Sequence, residues 1–148
     1  MSNRQIFQKI LCFSQDDFQP SATNKFIMDL TLSHFVFGRP NLDGFLREHA
    51  SLGAHTDIIE FQAGKTTTFR WTHPGSRPLG FPINKQCPNC NRLKTRVPKQ
   101  NDNGTSILVR CSACKHTVTY VLPAGWNWTH GPPVKGDQGQ GAWLRYTE

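Results

Sequence analysis

The chain has 148 residues, of which 36% are hydrophobic and 18% charged, with 12 Gly and 10 Pro. This length suits one domain or a small core with a metal-stabilised appendage, and the many turn-forming residues favour short strands over a helical bundle. No apolar run approaches the ~20 residues of a membrane-spanning helix, so a membrane-spanning segment is not expected. The formal net charge is +7.

The first third of the chain, residues 1–54, is predicted to be helical. Ser2 and Gln5 form a capping box, and an apolar stripe on one helix face follows. The stripe consists of Ile6, Phe7, Ile10, Leu11 and Phe13. Cys12 is expected to be a small buried residue of that helix. The start lacks the ~7–15-residue apolar region of a secretory signal. The protein is therefore expected to be intracellular, either nuclear or cytoplasmic, with reduced thiols.

Two further segments of this third carry helical patterns. NKFIMDLTLSHFVFG, residues 24–38, begins with a helical pattern and ends in β-rich residues, which predicts a helix that turns into a strand. NLDGFLREHASLG, residues 41–53, predicts a helix with Asn41 as N-cap and Gly53 as its stop. The apolar face of this second helix consists of Leu42, Phe45, Leu46 and His49.

Residues 55–84 are predicted to form a β-hairpin and an extended connector. DIIEF and TTTFRW are β-rich runs joined by QAGK. AGKTT resembles the end of a phosphate-binding loop, but Ile59 stands where that loop needs its first Gly, so the hairpin is favoured. HPGSRPLGFPINKQ, with three prolines and two glycines, reads as an extended connector.

One alternative in this region is an iron site. His55 and Asp57 have the H-x-D spacing of two ligands in an iron-dependent oxygenase. His116 or His130 would be the third ligand, and Arg145 follows further along the chain. Such enzymes resemble jelly rolls of about eight strands, whereas six candidate strands are found in this sequence. The site is therefore disfavoured.

Four cysteines form two close pairs with the pattern C-x2-C-x20-C-x2-C. The pairs are Cys87 with Cys90 and Cys111 with Cys114. Two C-x2-C turns bring four thiolates to ~2.3 Å from one ion, which predicts a tetrahedral Zn²⁺ site. The odd fifth cysteine and the missing secretory signal disfavour disulfides. Four thiolates leave no open coordination position, so one structural zinc is predicted. A His-Asn-His nuclease is disfavoured because residues 91–110 contain no His.

The residues around the cysteine pairs predict three antiparallel strands. NRLKTRVP and TSILVRC are joined by the turn NDNG, and HTVTYVLP follows. Two cysteine turns on such a sheet resemble a zinc ribbon, a fold group found in transcription, translation and nucleic-acid-processing proteins. The resemblance covers residues 85–123. In that group Gly often follows each second Cys, because this position is left-handed. Here Asn91 and Lys115 take its place, and a distorted second turn is expected.

The positive charge is concentrated beyond residue 64. Residues 1–64 carry five Lys/Arg against seven Asp/Glu, and residues 65–148 carry twelve against three. Alternation along a strand would place Arg92, Lys94 and Arg96 on one face at ~6.6 Å intervals, close to the phosphate spacing of a nucleic acid. The candidate nucleic-acid-binding residues are Lys85, Arg92, Lys94, Arg96, Lys99, Arg110 and Lys115.

Trp126 and Trp128 follow the third strand in a Pro/Gly-rich loop. They have two interpretations, stacking on unpaired bases or, as favoured here, covering the ribbon's apolar face. Residues 124–148 are expected to form this loop and a closing strand, AWLRYT. Together with residues 1–54, 55–84 and 85–123 they are predicted to make one compact unit.

These patterns predict an α+β fold in which helices are followed by antiparallel strands that include a four-cysteine zinc ribbon. The predicted function is non-enzymatic: a structural-zinc protein whose basic ribbon binds DNA or RNA through phosphate contacts. The alternative is a zinc-stabilised module for protein–protein interaction or assembly, in which the aromatic side chains form the contact.

Overall fold

Short helices and two antiparallel sheets make up the computed structural model, which describes residues 9–15, 19–38, 42–93, 96–100, 104–132 and 141–148. The predicted α+β class is confirmed. The helices of this part are α1 (Pro20–Thr31), its π-helical continuation (Leu32–Val36), α2 (Leu42–Leu46), a 3₁₀ turn (Arg47–His49), α3 (Ala50–Gly53) and a second 3₁₀ turn (Pro78–Gly80). In the described residues, no helix has the length and apolar character needed to cross a membrane.

The strands of the described residues divide between a larger and a smaller sheet. They are β1 (Lys9–Phe13), β2 (Ile58–Gln62), β3 (Lys65–Thr72), β4 (Arg96–Gln100), β5 (Ser106–Cys111), β6 (Thr117–Val121), β7 (Asn127–Trp128) and β8 (Ala142–Thr147). The larger sheet has the order β1-β2-β3-β8-β7, and the smaller sheet has the order β4-β5-β6. The predicted closing strand is β8, and it lies between β3 and β7 rather than at an edge.

The helices pack on the larger sheet. Leu46, Leu52, Ile58 and Phe69 meet in one buried cluster with Phe26. The face predicted for residues 41–53 is confirmed, since Leu42, Leu46 and His49 are buried and Phe45 is partly buried. The proposed cap, Asn41, lies outside the described residues. Burial of this face against the core cluster orients the helix.

The predicted hairpin is confirmed, and the phosphate-binding loop is not formed. Strands β2 and β3 pair antiparallel, with Gln62 opposite Lys65. The two residues between them, Ala63 and Gly64, both have positive φ, 51° and 76°. Positive φ at both central residues is typical of the type I′ turn, whose twist matches the flanking strands.

The predicted first helix is wrong where the structure describes it. Residues 9–13 form β1, which pairs with β2 so that Ile10 lies opposite Phe61. Cys12 is exposed on this strand rather than buried in a helix. The free edge of β2 offers hydrogen bonds that outweigh a short helical pattern, and Lys9 reaches Glu60 at 2.7 Å. The capping-box residues Ser2 and Gln5 lie outside the described residues.

The predicted strand at the end of residues 24–38 is also wrong. The chain stays helical through Val36, and the N–H of Phe37 donates to the carbonyl oxygen of Leu32 at 3.2 Å. The β-branched and aromatic residues Phe35 and Val36 therefore remain on a helix. Local hydrogen bonds hold this segment, because it pairs with neither sheet.

Two glycines of the helical region provide a matched test of this packing. A Cβ at Gly53 would lie 2.1 Å from Trp71 Cβ, whereas a Cβ at Gly44 meets nothing within 4 Å. We expect Gly53→Ala to lower the free energy of unfolding by about 2–3 kcal/mol or more, through overpacking. Gly44→Ala should raise it by about 0.5–1 kcal/mol through helix propensity. Urea denaturation measures both, and equal effects would contradict the close approach of α3 to β3.

Candidate metal centre

The four cysteines meet at one end of the smaller sheet. Cys87 and Cys90 precede β4, Cys111 ends β5, and Cys114 lies in the turn before β6. Their sulfur atoms all lie within 4.8 Å of one another. The Sγ atoms of Cys87 and Cys114 are 3.6 Å apart, and those of Cys90 and Cys111 are 4.0 Å apart. Four sulfurs at ~2.3 Å from a tetrahedral ion stand ~3.8 Å from one another. This four-cysteine site therefore has metal-binding geometry.

Two turns of the same shape build the site. In the first cysteine turn (residues 87–91), the N–H of Asn91 donates to the carbonyl oxygen of Cys87 at 2.8 Å. In the second cysteine turn (residues 111–115), the N–H of Lys115 donates to the carbonyl oxygen of Cys111 at 3.1 Å. Asn91 and Lys115 both adopt the left-handed conformation, with φ of 54° and 63°.

The expected distortion of the second cysteine turn is not observed. Cys87 N–H donates to Arg92 O at 3.2 Å, and Cys111 N–H donates to His116 O at 2.8 Å, so the two turns close alike. The ammonium group of Lys115 folds back and donates to the carbonyl oxygen of Ser112 at 2.9 Å. This bond gives the lysine a local partner in a conformation that usually favours Gly or Asn.

Backbone N–H groups point at the sulfur atoms and favour thiolates. The N–H groups of Cys114 and Ala113 lower the pKa of the Cys111 thiol. The N–H of His116, and then the side chain of Asn89, lower the pKa of the Cys114 thiol to about 6.

The Cys90 thiol behaves differently. The N–H of Arg92 favours its thiolate, but burial and hydrogen bonds with the other three thiols outweigh that donor and raise the pKa of Cys90 to about 11. Four thiolates at these separations would repel one another, and a bound cation would offset that repulsion.

As far as its side chains are described, the apolar cluster under the smaller sheet is small. Ile107 and Val109 of β5 are each 1% exposed and pack on Leu79 from the connector. The flanking partly buried side chains are Ile83, Tyr120, Leu122 and Trp128. A sheet of three short strands over so few buried residues is a marginal unit, so a bound ion would contribute substantially to its stability.

The described basic residues of this region are exposed. They are Lys85, Arg92, Lys99, Arg110 and Lys115. The predicted row of Arg92, Lys94 and Arg96 on one strand is wrong for Arg92, because β4 begins at Arg96 and Arg92 closes the first cysteine turn. Lys94 lies outside the described residues, and so does the side chain of Arg96, whose backbone pairs with Cys111.

A different pair of cations shares the solvent-facing side of the sheet. Lys99 lies opposite Leu108, and Leu108 lies opposite Thr119, so these three occupy one face. Arg110 follows Leu108 by two residues and therefore lies on the same face. All four side chains are exposed, while the alternate residues of β5 are buried. The alternation of apolar and polar residues in SILVRC is the sequence signal that locates this face.

The two tryptophans are engaged within the protein. The favoured interpretation, that both cover the ribbon's apolar face, is confirmed for Trp128, which packs on the apolar cluster of the smaller sheet, and is not confirmed for Trp126. The ring of Trp126 stacks on Tyr146 with centroids 5.5 Å apart, and the guanidinium of Arg70 lies 4.8 Å from the ring centroid. Both side chains are only partly exposed. Base stacking on either ring would compete with these contacts.

The iron-site alternative is wrong on geometry. Both carboxylate oxygens of Asp57 accept hydrogen bonds from guanidinium groups, from Arg70 at 2.8 Å and from Arg77 at 2.9 Å. His55 is exposed, as are His116 and His130. Across the described ranges, the four-cysteine site is the one group of His, Cys, Asp and Glu arranged to hold a metal.

Asp57 is instead a structural anchor that sequence reasoning missed. Arg77 also donates to the carbonyl oxygens of Gly53 and Gly80, at 3.3 and 3.2 Å. The hydrogen bonds of Asp57 and Arg77 therefore join α3, β3 and the connector that leads to the first cysteine turn. No sequence pattern signals it, because its partners are separated by 13 and 20 residues in the chain.

No protein-family profile, curated protein or solved structure matches this chain. The function is therefore inferred from the geometry, burial and charge of its own residues.

Removal of the Asp57 carboxylate is expected to destabilise the fold. Asp57→Ala leaves Arg70 and Arg77 without their shared acceptor, and we expect a loss of about 2–3 kcal/mol in the free energy of unfolding. The control is Lys25→Ala, which removes an exposed i,i+4 pair with Asp29 and should have little effect. Chemical denaturation of both variants makes the comparison, and a wild-type value for Asp57→Ala would contradict the anchoring role.

Proposed function

We propose that the four-cysteine site binds one Zn²⁺ and that residues 85–123 form a zinc ribbon. Three observations support the metal: the sulfur separations of 3.6 and 4.0 Å, the two equivalent cysteine turns, and N–H donors aimed at sulfur. Soft thiolate ligands in a tetrahedral set favour zinc over harder divalent ions. The thiols of Cys87 and Cys111 are buried, which limits access to competing ligands.

This zinc has a structural role in the proposal. Four protein thiolates complete its coordination, so no position is left for water or substrate. Its binding free energy, of order 10 kcal/mol, acts as folding free energy for the smaller sheet. The protein is accordingly proposed to be non-enzymatic at this site.

Removal of one ligand should release the metal. We expect Cys111→Ser to lower the zinc content of the purified protein from about one ion per chain to near zero, since structural sites need all four ligands. The matched control is Cys12→Ser, which changes the exposed cysteine of β1 outside the site and should keep the zinc. Elemental analysis gives the content, and limited proteolysis within residues 87–123 reports loss of the sheet. Full zinc in Cys111→Ser contradicts the assignment.

We further propose that the ribbon binds nucleic acid through phosphate contacts. The observation that carries this proposal is a contrast in charge pairing. In the larger sheet, three of the four described cations meet acids, Lys9 with Glu60 at 2.7 Å, Arg70 with Asp57 at 2.8 Å and Arg145 with Asp43 at 2.7 Å. In residues 85–115, the five cations whose side chains the structure describes form no ion pair; they are Lys85, Arg92, Lys99, Arg110 and Lys115.

The sequence explains this contrast. Residues 85–115 contain seven Lys/Arg and one acid, Asp102, so most of these cations cannot be neutralised within the region. Exposed, unpaired cations on a sheet attract a polyanion and gain free energy by releasing its counterions. Lys99 and Arg110 share one face, while Lys85, Arg92 and Lys115 flank the two cysteine turns. The contacts proposed are with phosphates, so binding is expected to depend strongly on salt and weakly on base sequence.

Charge reversal on this face tests the proposal. We expect the double variant Lys99→Glu, Arg110→Glu to weaken binding to a DNA or RNA oligonucleotide. The slope of log K against log[salt] should fall by about two, roughly one for each lost phosphate contact. Fluorescence anisotropy at several salt concentrations gives the slope. Zinc content should stay unchanged, because neither side chain contacts the four-cysteine site.

The control carries the same change in net charge elsewhere. Arg47→Glu, Lys65→Glu reverses two exposed cations outside the smaller sheet and should leave the slope within error of wild type. Equal losses in the two variants would mean that only total charge matters, and the proposed surface would be wrong. Wild-type binding by Lys99→Glu, Arg110→Glu would also reject it.

A further inference from the structure

The helix of residues 20–36 exposes an apolar surface that the nucleic-acid proposal does not use. We call this surface the outer helix face and define it by Met28, Leu32, Phe35 and Val36, which are 65%, 48%, 79% and 64% exposed. Ile27 and Phe37 extend it, with 42% and 65% of their surface exposed. Large apolar side chains scattered singly on a surface are ordinary, but six together mark an interaction site.

The spacing of these residues defines one side of the helix. Positions 28, 32, 35 and 36 recur at intervals of four, seven and eight residues, the pattern of a packing stripe. The side that faces the core is a different one, with Thr23 and Phe26 only 3% and 1% exposed. The helix is therefore apolar on two sides, and a helix of that kind is normally covered on both. Its end is a π-helix, a form that occurs often at functional sites.

The area of the outer helix face fits a protein interface. At the exposures given, Phe35 and Phe37 alone present on the order of 300 Å². The six residues together present roughly 600 Å², the upper end for a monomer's largest apolar patch. Two such faces in contact would bury about 1,200 Å² in total, which reaches the standard range for a specific interface.

Charge favours a second copy of the same chain over other occupants. The segment from Ile27 to Phe37 carries no Lys or Arg, and its one acid, Asp29, is paired with Lys25. An anionic membrane surface or a nucleic acid attracts lysine and arginine, and this segment offers neither. The outer helix face also lies in the half of the chain with five Lys/Arg against seven Asp/Glu. Two copies can therefore meet at the outer helix face without bringing their positively charged smaller sheets against each other.

We propose that the chain forms a homodimer through this surface, with the two helices packed about a two-fold axis. A single stripe that packs against its own copy makes an isologous contact, which closes at two subunits. Phe35, the most exposed member, is the central anchor, because large aromatic side chains dominate interface energies. The proposal does not rest on nucleic-acid binding.

The dimer has a consequence for the ribbon surface. The outer helix face belongs to the helical layer, while the cations of the ribbon lie over a separate apolar cluster. No residue is shared, so a dimer would present two basic sheets at once. Two linked sites bind one polyanion more tightly than a single site, because the second contact becomes intramolecular.

Sedimentation velocity on the full, zinc-loaded chain between about 1 and 100 µM tests the proposal. The expected result is a concentration-dependent shift from monomer to dimer. Phe35→Asp should weaken association by at least about thirtyfold, since an exposed side chain is replaced without touching the core. The matched control is Val121→Asp, which changes an apolar residue 61% exposed on β6 and should dimerise like wild type.

A cross-link provides a second test that does not depend on affinity. In a Cys12→Ser background, Leu32→Cys places a thiol at the centre of the stripe, and mild oxidation should join two chains. Val121→Cys in the same background should not do so. The proposal is overturned by a wild-type chain that stays monomeric at about 100 µM, whatever else the surface then binds. Dimerisation of Phe35→Asp at wild-type strength, or equal cross-linking at positions 32 and 121, overturns it as well.

Discussion

Four sulfur atoms held within 4.8 Å of one another are the constraint on which the smaller sheet depends. Two turns of similar shape hold these sulfurs, and backbone N–H groups lower the pKa of the Cys111 and Cys114 thiols. Thiolates at such separations repel, and a cation at their centre turns this repulsion into attraction. Among the side chains that the structure describes, the apolar cluster below contains three fully buried ones, Leu79, Ile107 and Val109. In our account the ion, more than the core, holds this sheet in shape.

The two sheets are joined by specific contacts rather than by the chain alone. Trp128 belongs to β7 of the larger sheet and also packs on the cluster of the smaller one. Arg77, in the connector, binds Asp57 and the carbonyl oxygen of Gly53. The smaller sheet is thus tied to the larger sheet through Trp128, and the connector is tied to α3 through Arg77. The basic side of the smaller sheet remains open to solvent, and the outer helix face lies on a different element.

Elements defined by local patterns were predictable from the sequence. The hairpin of β2 and β3 follows from β-rich runs around Ala63-Gly64, and the four-cysteine site follows from equal C-x2-C spacings. The strand β1 was not predictable, because its helical periodicity was outweighed by pairing with the distant edge of β2. Arg92 was misplaced for a related reason: the first cysteine turn takes up residues that the pattern assigned to a strand. The Asp57 anchor depends on partners far apart in the chain, which no local pattern reveals.

X-ray absorption at the zinc edge of the purified protein tests the central claim most directly. Our account predicts about one zinc per chain with four sulfur neighbours at ~2.3 Å and no oxygen or nitrogen ligand. A folded protein that contains no zinc, or a zinc bound by fewer sulfurs together with water, would contradict the claim that a closed thiolate site holds the smaller sheet.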